Sequence, residues 1–115
     1  MRGTMDILLP SIQFSEFRRL NRKPPTLAEL SALLNSQVDI IPDFDQWVEY
    51  SGRLVPATVV ANRDWRDPIQ PLNIVATACW HYFAKAKGIT LSSHITGPVV
   101  IFCGDPEFLD LVATN

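Results

Sequence analysis

The chain has 115 residues, of which 47% are hydrophobic and 19% charged, and its net charge is −2. That balance suits a single globular domain, residues 1–115, with one core, and it excludes a disordered chain, which would be poorer in apolar residues. It also argues against a compact nucleic-acid-binding domain, which neutralises phosphates with a basic excess. No apolar run reaches the ~18 residues of a membrane span.

Met5 to Leu9 reads as a first strand, stopped by Pro10. Its apolar part is too short for the core of a signal peptide, so cytoplasm is the expected compartment. Residues 11–25 show no clear periodicity and carry the basic cluster Arg18, Arg19, Arg22 and Lys23 before Pro24-Pro25. Thr26 and Glu29 then have the spacing of a reciprocal helix cap. Leu27, Leu30, Leu33 and Leu34 recur on one face, and Asn35 suits a left-handed stop, which predicts a helix over 27–34.

Val38 to Ile41 reads as a strand ended by Pro42. Trp47–Tyr50 and Arg53–Val55 flank Ser51-Gly52, the signature of a tight hairpin. Pro56 should end the return strand, and Thr58-Val59-Val60 resume it. Residues 61–71 read as a polar loop with an exposed Trp65.

A longer helix is expected over about 72–87, capped by Asn73 or Gln70 and ended by Gly88. It is apolar on more than one face. Ile74, Val75, Cys79, Tyr82 and Phe83 make up the wide face expected to meet the sheet, which leaves Trp80 and Ala84 to its side. Gly97 opens a last strand through Cys103 that is apolar without alternation, so both its sides want burial. A short helix from Pro106 to Leu111 follows, with Asp105 as its cap. The resulting fold class is α+β, a mixed α/β sheet of four or five strands packed with two main helices.

The order of these signals resembles a family of small domains of unknown function found in phages, plasmids and other mobile bacterial elements. The resemblance rests on the Leu-rich helix ending near Leu34, Val38-Asp39-Ile40-Ile41-Pro42, and the hairpin Ser51-Gly52-Arg53-Leu54. It continues in Leu72-Asn73-Ile74-Val75-Ala76-Thr77 and in Ile95-Thr96-Gly97-Pro98-Val99-Val100-Ile101. In that family an Asn followed by an Ala-Thr pair opens a helix, and a Gly-led strand closes the domain. The likeness spans roughly residues 27–103. Ser36-Gln37 replace the usual glycine pair, and residues 56–70 look inserted. The resemblance implies a mobile-element accessory protein and carries no activity.

Catalytic signatures are absent from the sequence. Cys79 and His81 lie two apart, about 200° around a helix, so they cannot share an ion, and no metal or other cofactor is expected. Asp39, Asp43, Asp45 and Glu49 form an acidic segment without the ligand pattern of a calcium loop. No Gly-x-Ser-x-Gly elbow or glycine-rich phosphate loop occurs. Cys103 sits at a strand end, but both cysteines are expected as packed, reduced thiols.

The expected function is a non-catalytic protein–protein interaction or regulatory module, homodimeric, with another protein as a further partner. Arg18, Arg19, Arg22, Lys23, Trp65 and Trp80 are the expected contacts, since buried aromatics anchor interfaces. Two alternatives stand beside it: a small-molecule-binding protein or simple enzyme using the acidic segment or Cys103, and a nucleic-acid binder through Arg18–Lys23.

Overall fold

A computed structural model of the chain describes residues 3–10, 15–20 and 25–104, with the backbone alone for 15–20. In chain order the elements are β1 (Gly3–Leu8), β2 (Ser15–Leu20), α1 (Leu27–Leu34), β3 (Val38–Ile40) and β4 (Trp47–Tyr50). They continue with β5 (Arg53–Pro56), β6 (Thr58–Asn62), α2 (Ile74–Ala86) and β7 (Val99–Gly104). The mixed α+β class expected from the sequence is what forms. The helix expected at 106–111 lies outside the described residues.

Five strands form one antiparallel sheet in the order β2-β1-β7-β6-β3. β7 lies at its centre, pairing Thr4 with Cys103 on one side and Val60 with Val100 on the other. Its side chains alternate between two cores: Val99 and Ile101 face one, Val100 and Phe102 the other. An apolar run without alternation is what such a doubly covered strand requires. The segment of β2, aperiodic in sequence, is not irregular chain. It pairs with β1 along its whole length, from Gly3↔Leu20 to Leu8↔Ser15.

α1 covers one side. Leu30 and Leu34 pack on Met5, Ile7, Val60, Val100 and Phe102, and Leu34 has no exposed surface. The Thr26 hydroxyl accepts the Glu29 backbone N–H at 3.1 Å. The expected return bond from Glu29 to the Thr26 backbone does not form; the Thr26 hydroxyl donates to the Glu29 carboxylate at 3.4 Å instead. Asn35 ends the helix at φ 56°, in the left-handed region. Leu27, expected on the buried face, is 51% exposed; Leu30 and Leu34 are buried in the core and Leu33 packs half-buried against it.

The opposite side is covered by α2, the β4–β5 hairpin and the irregular segments between elements. Ile41, Phe44, Trp65, Ala76, Trp80 and Ile95 meet Leu8, Val59, Ala61, Val99 and Ile101 there, with Val48 of β4 packed against them. Ser51 and Gly52 both have positive φ, 53° and 76°, as a two-residue hairpin turn demands. Pro56 ends β5 opposite Trp47. After Ala57 the chain enters the large sheet as β6, so the resumed strand belongs to a different sheet from its hairpin.

Candidate functional site

α2 is set in place by a polar staple. Asn73 has no exposed surface, and its side chain closes three bonds. Its Nδ2 donates to the carbonyls of Leu8 at 3.0 Å and Gly97 at 2.9 Å, and its Oδ1 accepts the Ala76 N–H at 3.1 Å. One residue therefore caps the helix and ties it to the sheet and to the β7 approach. The Thr77 hydroxyl accepts the Ile95 N–H at 2.9 Å. The Thr96 hydroxyl donates to the Asp67 carbonyl at 2.6 Å. Gly97, at φ 77°, passes so close to Gln70 that a Cβ there would lie 2.7 Å from its Oε1.

This staple fixes which face of α2 turns inward. Ala76, Trp80 and Ala84 are buried; Ile74, Ala78, Tyr82 and Ala86 are exposed. Val75 and Cys79 are half-buried at the rim of the core, as expected, but Ile74 and Tyr82 are not on the core face. Two small residues around one large one let the helix approach the sheet while Trp80 fills the space beneath.

The tryptophans are consequently not free to anchor a partner. Trp65, expected to be exposed, retains 2% of its surface and Trp80 retains 3%. Their rings meet edge-to-face at 5.4 Å. Trp80 Nε1 donates to the Pro42 carbonyl at 2.9 Å, and Trp65 Nε1 to the Asp39 carboxylate at 3.0 Å. Both indoles thus have the polar partner that burial requires. Arg66 lies over the Trp65 ring at 4.4 Å. Of the basic cluster, Arg18 and Arg19 fall on the backbone of β2, and Arg22 and Lys23 lie outside the described residues.

What α2 offers to solvent is a stripe with i, i+4 spacing. Ile74 is 50% exposed and Tyr82 71%, with exposed Ala78 between them. Leu72, 41% exposed, continues the apolar surface off the helix start. No Asp, Glu, Lys or Arg occurs from Pro68 to Ala84. Solvent-facing helix surfaces of globular proteins are ordinarily charged or polar, so an outer face whose one charged residue is Lys85, in the last turn, is the unusual feature here. The sequence carries this signal as surplus apolar character, but the surplus lies on the opposite side of the helix from the one its periodicity suggests.

The other chemistry-bearing residues are dispersed. Cys79 and Cys103 are free thiols. Burial raises the pKa of both; for Cys103 the hydrogen bond to Thr4 works against that and the nearby Asp6 adds to it. Cys103 Sγ lies 3.1 Å from the Thr4 hydroxyl. Asp43 and Asp45 face Lys87, whose pKa is raised chiefly by its hydrogen bond to Asp45. His81 and His94 have ring centroids 6.2 Å apart, and His81 Nε2 lies 2.7 Å from the Ser93 carbonyl. An open cleft of about 200 Å³ is bordered by His81, Lys85, Ile89, Thr90 and Leu91. Among the described residues no group of three His, Cys, Asp or Glu side chains is placed to hold a metal ion. No described helix is long and apolar enough to cross a membrane.

No protein-family model, curated protein or solved structure matches the chain.

Proposed function

We propose that this chain is a non-catalytic protein–protein interaction module, first of all self-associating, whose contact surface is the outward face of α2. The uncharged stripe Ile74–Ala78–Tyr82 carries the reading. The helix already fills the core with Ala76, Trp80 and Ala84, so the outer stripe is surplus to folding. Apolar surface held in water without a packing role is the kind that marks a contact site. The likeness to accessory domains of mobile elements, and a cytoplasmic setting, belong to the same proposal.

The alternatives draw less support. Asp43 and Asp45 are engaged by Lys87, and Cys103 is 1% exposed with its thiol pKa raised, which disfavours the reactive thiolate.

Sedimentation velocity from low micromolar to a few hundred micromolar protein tests the reading. The wild type should shift towards a larger species as concentration rises. The double variant Ile74→Lys/Tyr82→Lys should remain monomeric with an unchanged circular dichroism spectrum. A wild type that sediments as one monomer across the whole range overturns it.

A further inference from the structure

The geometry points to a binding site for a divalent transition-metal ion of the zinc type between His81 of α2 and His94 on the chain leading into β7. The site does not depend on self-association, and the outcome for one leaves the other standing.

His81 and His94 are the two histidines of the chain. Their separation in sequence has none of the short spacings that mark a ligand pair, yet the fold brings them together. The ring centroids are 6.2 Å apart and the ring planes stand at 86°. Two imidazoles that share an ion at N–metal distances of about 2.0–2.1 Å have centroids roughly 5–6.5 Å apart. Rotation of the side chains therefore suffices to seat an ion, with the backbone where it is.

The backbone is held in that place. The Ile95 N–H donates to the Thr77 hydroxyl at 2.9 Å, one turn before His81 on the same helix. His81 Nε2 meets the Ser93 carbonyl at 2.7 Å. His94 thus lies between two ties to α2, and the pair is preorganised.

The nitrogens are also available. A carbonyl only accepts, so Nε2 of the neutral His81 ring carries the hydrogen and Nδ1 keeps a bare lone pair. Metal-bound imidazoles commonly give the second ring N–H to a backbone carbonyl in this way, which fixes the tautomer. Neither ring nitrogen of His94 has a hydrogen-bond partner among the described residues. His94 is exposed, and the open cleft of about 200 Å³ beside His81 has room for the waters that complete the coordination shell.

Two imidazoles and water select an ion that favours nitrogen over one, such as magnesium, that demands oxygen. Lys85 borders the same cleft, and its ammonium opposes a second cation. The affinity expected is therefore micromolar, not nanomolar.

Calorimetric titration of the untagged full chain with zinc chloride near neutral pH tests the site. The wild type should bind one ion per chain in the micromolar range, and excess magnesium should not displace it. His81→Gln and His94→Gln should each weaken binding about tenfold or more. His94 is exposed, so His94→Gln should keep the circular dichroism spectrum and carries the test even where His81→Gln disturbs α2. Lys85→Gln should bind more tightly than the wild type. A wild type that takes up no zinc at millimolar concentration overturns the site. So do zinc binding that His94→Gln leaves unchanged, displacement by magnesium, and weaker binding by Lys85→Gln.

Discussion

The two sides of the central sheet are built differently. Towards α1, regular elements meet chiefly through apolar side chains, Leu30 and Leu34 on Met5, Ile7, Val60, Val100 and Phe102, with one buried polar tie from Asn62 Nδ2 of β6 to the Leu34 carbonyl at 2.7 Å. Towards α2, chain without regular structure supplies much of the core through Ile41, Phe44, Trp65 and Ile95. Backbone groups brought inside by such segments have no ladder to join, so side chains must bind them. Asn73, Thr77, Thr96 and the Trp80 indole N–H do so. The contrast separates a side whose stability depends mostly on filled volume from one that adds a set of directional bonds to its apolar core.

Asn73→Ala should be the most damaging change, because it orphans the Leu8 and Gly97 carbonyls and the Ala76 N–H at a site with no exposure. A loss of about 3–5 kcal/mol in urea unfolding is expected. A loss below about 1 kcal/mol would break the contrast, since water or local rearrangement would then be replacing the staple.

Leu34→Ala is the counterpart on the other side, with an expected cost of about 3 kcal/mol from lost burial and the cavity left behind. Here the neighbouring apolar side chains can relax into part of the space. A larger loss than for Asn73→Ala reverses the order of the two sides.

Thr26→Ala removes the bond to the Glu29 N–H at the start of α1. It should cost about 1 kcal/mol and leave the α2 side untouched. Hydrogen exchange should quicken in the first turn of α1 and stay unchanged around Asn73; faster exchange at both would show that the two sides unfold together.

The smallest effect is expected from Asp6→Asn. Burial raises the Asp6 carboxyl pKa above its ordinary 3.8 in the folded chain. The native state therefore binds that proton more tightly than the unfolded chain does. Its contribution to stability is fully present below 3.8 and is lost as pH rises through the raised folded value. Asp6→Asn should accordingly stabilise the protein at about pH 7 and change little at about pH 3. Melting curves at the two pH values check the sign, and destabilisation at neutral pH would mean that the carboxylate has a partner holding it charged.

The α1 side is the more legible in sequence, for the same physical reason. Thr26, Glu29 and Asn35 act within their own helix, and Ser51-Gly52 within their own turn, so local spacing identifies them. On the α2 side the deciding contacts are remote. Trp65 sits in a polar stretch, and its burial depends on Asp39 and Trp80. α2 carries no charged residue before Lys85, so over most of its length charge does not mark the outer face, and apolar periodicity alone points to the wrong one. Once Asn73 is bonded to Leu8 and Gly97, the rotation of the helix is settled, and neither partner is near in sequence. β2 leaves no sequence signal because Ser15-Glu16-Phe17-Arg18-Arg19-Leu20 lacks an apolar alternation; it is an edge strand recruited by β1. Within the candidate surface, the sequence shows the excess of apolar character on α2 but not that Ile74 and Tyr82, rather than Trp80, carry it outward.

The central place of β7 also has a consequence in time. Thr4 and Cys103, neighbours in the finished sheet, stand 99 positions apart. A chain emerging at about 5–20 residues per second completes β1 several seconds before β7 exists. Until then β1 and β6 have no strand between them, and the apolar faces they later bury remain open to other chains. No stable sheet core can assemble piecemeal from the N-terminal end. Expression yield should therefore respond to temperature and to chaperone supply more than the finished stability alone would suggest, with the loss occurring before the protein has folded once.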